Sequence, residues 1–313
     1  MPARIVFLGT PDFAVPSLRA LAADTRFAVP LVVSQPDRPS GRGRRLQPPP
    51  IMVAAAELGI PVLQPATLRA SEALATLAAA AADLFVVVAY GEILRRAILE
   101  MPRAGVLNVH PSLLPRYRGS SPIPAAILNG DAETGVSVIK LVRALDAGPI
   151  LRQDVVKLSG NETAGVLSRQ LAILAADSLP ATVDGWLSGR ITPRLQDDAL
   201  ASYTRELTRD DGRIDWAASA LSIERLVRAM HPWPAAWTML AGKRMILLES
   251  HISQKQPQLI PGTIIPLPDV PAVAAQDGLV YLERVKLEGR SEISGADWLR
   301  GAHLPPNARF DAP

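Results

Sequence analysis

Leu84-Phe-Val-Val-Val-Ala-Tyr-Gly-Glu-Ile-Leu-Arg-Arg-Ala-Ile-Leu-Glu-Met-Pro-Arg-Ala-Gly-Val-Leu-Asn-Val-His110 is the stretch on which the fold turns. It opens on an unbroken apolar run, Leu84–Ala89, and passes through Glu92–Leu99, which is long enough for a helix. It closes on a second apolar run, Val106–His110. Strands that are apolar on both faces and separated by a helix read as a parallel unit covered on both sides. The alternation extends outward in both directions. Arg4–Leu8, Val29–Ser34 and Pro61–Leu63 are strand candidates before it, and Val136–Leu141 follows it. Phe13–Ala23, Ile51–Leu58 and Ser71–Ala82 are the intervening helices. Such crossovers are right-handed, and ligands bind beyond the carboxyl ends of the strands. The residues after Leu8, Ser34, Ala89 and Val109 are therefore where chemistry is expected. The apolar stretch from Ala73 to Tyr90 is interrupted by Asp83 and reads as helix followed by buried strand, since a span needs roughly 20 apolar residues.

Beyond the long helical stretch Glu162–Leu187 the pattern changes. Residues 191–208 are polar and rich in turn formers, which suits a linker. A helix is expected at Ser219–Met230. Short strand-like runs follow at Ala236–Leu240, Arg244–His251, Gly262–Ile265 and Leu279–Lys286, separated by Gly, Pro and Asp. Short strands with turn signals suggest a small β-barrel or sandwich.

Composition narrows the chemistry. Of 313 residues 48% are hydrophobic and 20% charged, enough to bury a core. The chain has no cysteine, which excludes disulfides, thiolate metal sites and thiol catalysis. Four scattered histidines speak against a histidine-rich metal site. The net charge is only +3, so any nucleic-acid contact must come from local clustering. The first strand-to-helix turn, Phe7-Leu-Gly-Thr-Pro-Asp-Phe13, has one glycine where a dinucleotide fingerprint needs three.

Three segments carry chemistry. The loop Gln35–Pro50 holds Arg38, Arg42, Arg44 and Arg45 against the single acid Asp37, a basic segment able to grip phosphates or to stand solvated. Asn108 and His110 are two apart at the end of a strand and so share one face. An amide and an imidazole placed together bind an oxygen that becomes negative during attack. Asp146, in Ala144-Leu-Asp-Ala-Gly-Pro149, is either a turn aspartate or the group that orients the imidazole and raises its pKa.

Asn108-x-His110, Ser112-Leu-Leu-Pro115 and Leu145-Asp-Ala-Gly-Pro149 together resemble the folate-dependent formyltransferase superfamily. Further matching motifs are Gly9–Phe13, Val88-Ala-Tyr-Gly91, Arg116-Tyr-Arg-Gly119, Gly130-Asp131, Thr134-Gly135, Arg213–Trp216 and Arg228–Pro234. The resemblance spans nearly the whole chain. It implies an α/β fold: a Rossmann-like formyltransferase domain with a mostly parallel sheet over 1–189, a linker over 190–208, and an OB-like small β-barrel over 209–313 that contacts tRNA.

It further implies transfer from the co-substrate 10-formyltetrahydrofolate, without a metal, to the α-amine of initiator methionyl-tRNA in the cytoplasm. The implied enzyme is a monomer with no membrane partner. Asn108 and a protonated His110 would hold the oxyanion, with Asp146 keeping the histidine charged. Ser112, Leu113, Leu114 and Pro115, with Val88, Ala89, Tyr90 and Gly91, would line the folate pocket. Arg38, Arg42, Arg44 and Arg45 would meet the tRNA acceptor stem. A small amine such as an amino-sugar nucleotide is the alternative acceptor, and a tRNA-binding protein without catalysis is a third reading. Departures from the family pattern are Glu92, Arg95, Pro124, and Glu206 beside Arg205. A further departure is the balance of twelve basic and twelve acidic residues from Leu207 to Pro313.

Overall fold

A computed structural model describes residues 1–40, 45–255 and 258–311. The chain divides into two compact units. The first comprises Met1–Pro122, Glu133–Lys157 and Ser168–Thr204, and the second Ile123–Ala132, Leu158–Leu167 and Arg205–Pro313.

The first unit is built on a seven-stranded sheet. Its spatial order is Ile150–Lys157, Glu133–Lys140, Val106–His110, Leu84–Val88, Ala3–Gly9, Phe27–Val33 and Val62–Leu63. The last five are mutually parallel. Alternation along the strands accounts for the burial. Val6, Leu8, Leu31, Val33, Phe85 and Val87 form one core cluster with Leu77 and Ile98 from the helices Ser71–Ala79 and Arg96–Leu99. The intervening residues Phe7, Val32, Val86 and Leu107 are buried as well. Both faces are therefore covered, as unbroken apolar strands require.

Strand order reverses between Ala3–Gly9, which pairs with Phe27–Val33 on one side, and Leu84–Val88 on the other. In open α/β sheets this switch point is where a crevice forms.

Three expectations change. The helix expected over Glu92–Leu99 occupies only Arg96–Leu99. Glu92 instead accepts the Thr67 hydroxyl at 2.9 Å and the Leu68 N–H at 3.2 Å, which holds the preceding turn away from helical geometry. The helix expected to reach Ala82 stops at Ala79, where the chain turns left-handed at Ala81. The strand expected at Val136–Leu141 runs over Glu133–Lys140 and is antiparallel to Val106–His110. It forms an edge hairpin with Ile150–Lys157, because so short a connection cannot return as a parallel crossover. The hairpin closes tightly: a Cβ on Gly148 would lie 1.8 Å from the Lys140 carbonyl.

Residues 190–204 are hydrogen-bonded into this first unit. Ile150 and Arg194 exchange backbone bonds of 2.7 and 2.8 Å, and Tyr203–Thr204 pairs in parallel with Arg118–Gly119.

The second unit carries an antiparallel sheet ordered Ala236–Leu240, Lys243–Ser253, Leu279–Leu287, Ala272–Ala274 and Ile264–Ile265, with Glu292–Ser294 also paired to Leu279–Leu287. The helices Ala220–Ala229 and Gly295–Ala302 start on serine caps: Ser219 accepts the Ser222 N–H and Ser294 the Asp297 N–H. Trp216, Phe310 and Trp298 stack at 5.3 and 6.2 Å, and the Trp216 indole donates to the Thr238 hydroxyl. Among the described residues, no helix is long and apolar enough to cross a membrane.

Phe85 is buried in the cluster between the sheet and its helices. Replacing it with alanine leaves a cavity and is expected to cost about 3–5 kcal/mol, read as a lower denaturant midpoint at unchanged slope.

Candidate active site

The carboxyl end of Val106–His110 presents Asn108 and His110 on one face, as their spacing requires. His110 is 4% exposed. Its Nε2 lies 2.8 Å from the Tyr117 carbonyl. A carbonyl can only accept, so Nε2 carries a hydrogen, and the neutral ring has its lone pair on Nδ1. That nitrogen faces Asp146, whose Oδ2 is 3.6 Å away. The same Oδ2 accepts the Gly119 N–H at 2.8 Å. Asp146 itself adopts a left-handed backbone, φ +46°. Asn108 is half-buried, and its amide makes no hydrogen bond to any described residue. An amide in that position is available to a ligand.

Burial pushes the His110 pKa below its ordinary value, against the Asp146 charge and the Tyr117 carbonyl, both of which pull it up. This direction runs against the expectation that Asp146 keeps the ring charged. Removal of the imidazole from water outweighs a carboxylate 3.6 Å away, so burial favours the neutral ring. Nδ1 therefore acts first as a proton acceptor, and becomes a donor once it has taken a proton beside Asp146.

Gly119 is needed where it stands. Its φ is +107°, and a Cβ would lie 2.2 Å from the Thr204 carbonyl. Any larger residue displaces the N–H that holds Asp146.

The segment expected to line a folate pocket falls into two groups. Ser112 is fully buried and uses its hydroxyl on the Arg116 carbonyl at 2.6 Å. Leu114 is also buried, its N–H bonded to the Ser137 hydroxyl and its carbonyl to Gln153. These two pin the loop to the antiparallel strands, while Leu113 and Pro115 stay half-buried. In the other stretch Val88 and Tyr90 are core residues, and Ala89 and Gly91 are exposed. Val88 pairs with Val109, so the turn at 89–91 follows the strand beside His110. Thr10 donates to the Tyr90 carbonyl at 2.8 Å and ties this turn to the end of the first strand, across the switch point.

Of the basic loop, Arg38 is exposed on the short strand Arg38–Ser40, and Arg45 begins the strand Arg45–Gln47. Arg42 and Arg44 lie outside the described residues. In the second unit the guanidiniums of Arg213 and Arg244 lie 5.5 and 4.4 Å from the Trp237 ring centre, two cations over one ring. Arg205 is paired with Asp211. The Tyr117 carbonyl and the Gly119 N–H were not singled out as working groups from the sequence. Backbone atoms carry no residue signature, although Arg116-Tyr-Arg-Gly119 marked the place.

Residues 3–183 match the family described as formyl transferase, and residues 206–303 match the one described as formyl transferase, C-terminal domain. The methionyl-tRNA formyltransferase of Roseiflexus sp. (strain RS-1) is 49% identical over 311 residues, covering 99% of this chain and 96% of that protein. That of Geobacter metallireducens is 42% identical, covering 98% of each. Among solved structures, the N-formyltransferase from Helicobacter canadensis in complex with folinic acid and dTDP-3-aminofucose superposes with a TM-score of 0.68. It is 16% identical and covers 90% of this chain and 99% of its own. HypX from Aquifex aeolicus with tetrahydrofolic acid gives a TM-score of 0.64 at 16% identity, covering 96% of this chain and 47% of that one. At these identities the structures share the fold alone.

The histidine arrangement has a measurable consequence. In the ligand-free protein the His110 imidazole, followed by NMR of labelled histidine, is expected to titrate below the ordinary value of about 6.5. Asp146→Asn removes the charge that pulls the pKa up and should move the midpoint lower still. The folded state binds fewer protons at this site than the unfolded chain. Its contribution to stability is thus present above the ordinary histidine value and is lost as pH falls from there through the lowered folded-state value.

Proposed function

Because the chain belongs to the formyl transferase family, we propose that it transfers the formyl group of 10-formyltetrahydrofolate to the α-amine of methionine on initiator methionyl-tRNA. The observation that carries the chemistry is a buried imidazole whose Nδ1 faces Asp146, with Asn108 on the same face of the strand. The names of relatives matching at full length support the acceptor.

Residues of the switch point suit a folate. Exposed Ala89 and Gly91 and half-buried Leu113 and Pro115 offer an apolar edge with main-chain polar groups, which a flat pterin requires. Val88, Tyr90, Ser112 and Leu114 act behind this edge through backbone and packing. The bound folate supplies an activated formyl carbon on N10. In the transfer the amine nitrogen bonds to that carbon and the bond to N10 breaks. Neutral His110 Nδ1 takes the proton that the amine gives up, and Asp146 stabilises the imidazolium so formed. Asn108 donates to the formyl oxygen as it becomes negative. The proton then passes to the leaving nitrogen, which returns His110 to its neutral form.

Within this reading residues 1–189 do the chemistry and residues 190–208 join them to 209–313. Arg213 and Arg244 offer phosphate contacts in the C-terminal part, and Arg38, Arg42, Arg44 and Arg45 grip the acceptor stem. The protein works as a cytoplasmic monomer.

The deciding experiment is a transfer assay with 10-formyltetrahydrofolate, comparing methionine-charged initiator tRNA, methionine-charged elongator tRNA and an amino-sugar nucleotide. Rapid formylation of the initiator alone is expected, and transfer only to the small amine would overturn the acceptor. Asn108→Ala should lower kcat by about 10²–10³, the usual loss for one oxyanion donor, with folate affinity held. Arg42→Ala should raise KM for initiator tRNA and leave that for folate where it was.

A further inference from the structure

Arg118 is 2% exposed, an unusual place for a guanidinium. Its charge is met by Asp198 at 2.6 Å, and Nη1 donates to the Tyr203 hydroxyl at 3.1 Å. Its Nε and Nη2 both donate to Oε1 of Gln196, at 3.1 and 2.9 Å. A guanidinium has donors only, so these bonds fix which end of the Gln196 amide is oxygen. The NH₂ end must then point the other way. It donates to two carbonyls, those of Asp146 and Gly148, each at 2.7 Å. These carbonyls flank Ala147 in the turn whose first residue is the left-handed Asp146.

We infer that Gln196, backed by Arg118, is a positioning residue for formyl transfer: it clamps the Asp146 turn so that the carboxylate faces Nδ1 of His110. The inference rests on the proposed roles of His110 and Asp146. A residue other than glycine in left-handed backbone needs its surroundings to hold it there. Here one amide nitrogen restrains the 146–147 and 148–149 peptide units, one before Ala147 and one after Gly148. The same chain segment holds the other half of the site. The Ser202 hydroxyl accepts the Tyr117 N–H at 2.9 Å, and the Ser202 carbonyl accepts the Arg118 N–H at 2.8 Å. Tyr117 supplies the carbonyl that sets the His110 tautomer, and Gly119 supplies the N–H on Asp146. Residues 196–204 thus tie the imidazole's partner and the carboxylate's turn to one element.

Gln196→Glu separates clamping from mere packing. It keeps an acceptor for Arg118, with a stronger charge pair, but sets an oxygen against the two carbonyls. Gln196→Met keeps the length and removes both bonds to the carbonyls, together with the two from Arg118, without adding charge. Both are compared with the wild type by steady-state kinetics, thermal melting and NMR titration of His110, whose balance is set by burial, the Asp146 charge and the Tyr117 carbonyl. The expected result is a kcat lower by about 10–100-fold, the scale of a misplacement near 1 Å, with KM for folate and tRNA little changed. The His110 titration in Gln196→Met should move to lower pH as Asp146 drifts away. Wild-type kcat and wild-type titration in both variants would overturn the proposal, as would a loss of activity that only tracks the folded fraction. If the wild type itself transfers no formyl group, the catalytic reading fails, and the His110 titration alone then decides whether Gln196 sets the placement of Asp146.

Discussion

The hydrogen bond from His110 Nε2 to the Tyr117 carbonyl is the constraint around which the site is organised. It uses one ring nitrogen completely and leaves the other, Nδ1, as the single acceptor facing Asp146. Burial keeps that nitrogen unprotonated at rest, and the carboxylate makes the protonated state accessible when a substrate amine supplies the proton. An imidazole in water would carry no such directionality.

The fold exists, in this sense, to hold two loops against one strand end. The parallel strands fix Asn108 and His110 because their register to Leu84–Val88 and Glu133–Lys140 is set by residues buried on both faces. The loop after His110 is pinned through Ser137 and Gln153 of the antiparallel hairpin. Asp146 sits in the hairpin's own turn, where Gly148 permits a backbone approach that no side chain would allow. The antiparallel edge is thus a working part of the site, since it brings the carboxylate back to the strand end that carries the histidine.

The second unit is a different kind of surface. Basic and acidic residues are equal in number from Leu207 to Pro313, and two of the basic ones, Arg213 and Arg244, lie over the Trp237 ring. Guanidiniums placed over an aromatic ring are held there by attraction to its face. Arg205, by contrast, is committed to Asp211.

Much of this was legible in the residues. Unbroken apolar runs identified the parallel strands, because burial on both faces leaves no polar positions. The spacing of Asn108 and His110 identified a shared face, because strand periodicity is exact. The extent of the short helix at Arg96–Leu99 was not legible, since Glu92 found hydrogen-bond partners some twenty-five residues away. Nor was the protonation state of His110, which depends on how completely the ring leaves water. The place of residues 190–204 was hidden as well. Their polar, turn-rich sequence read as a linker, and Gln196 gained its partners only when Arg118 and the Asp146 turn were brought to it. The sequence by itself determined which groups could react, through local periodicity and residue chemistry. Tertiary structure alone decided their tautomer, charge and aim, because those depend on backbone atoms and burial contributed by segments far apart in the chain.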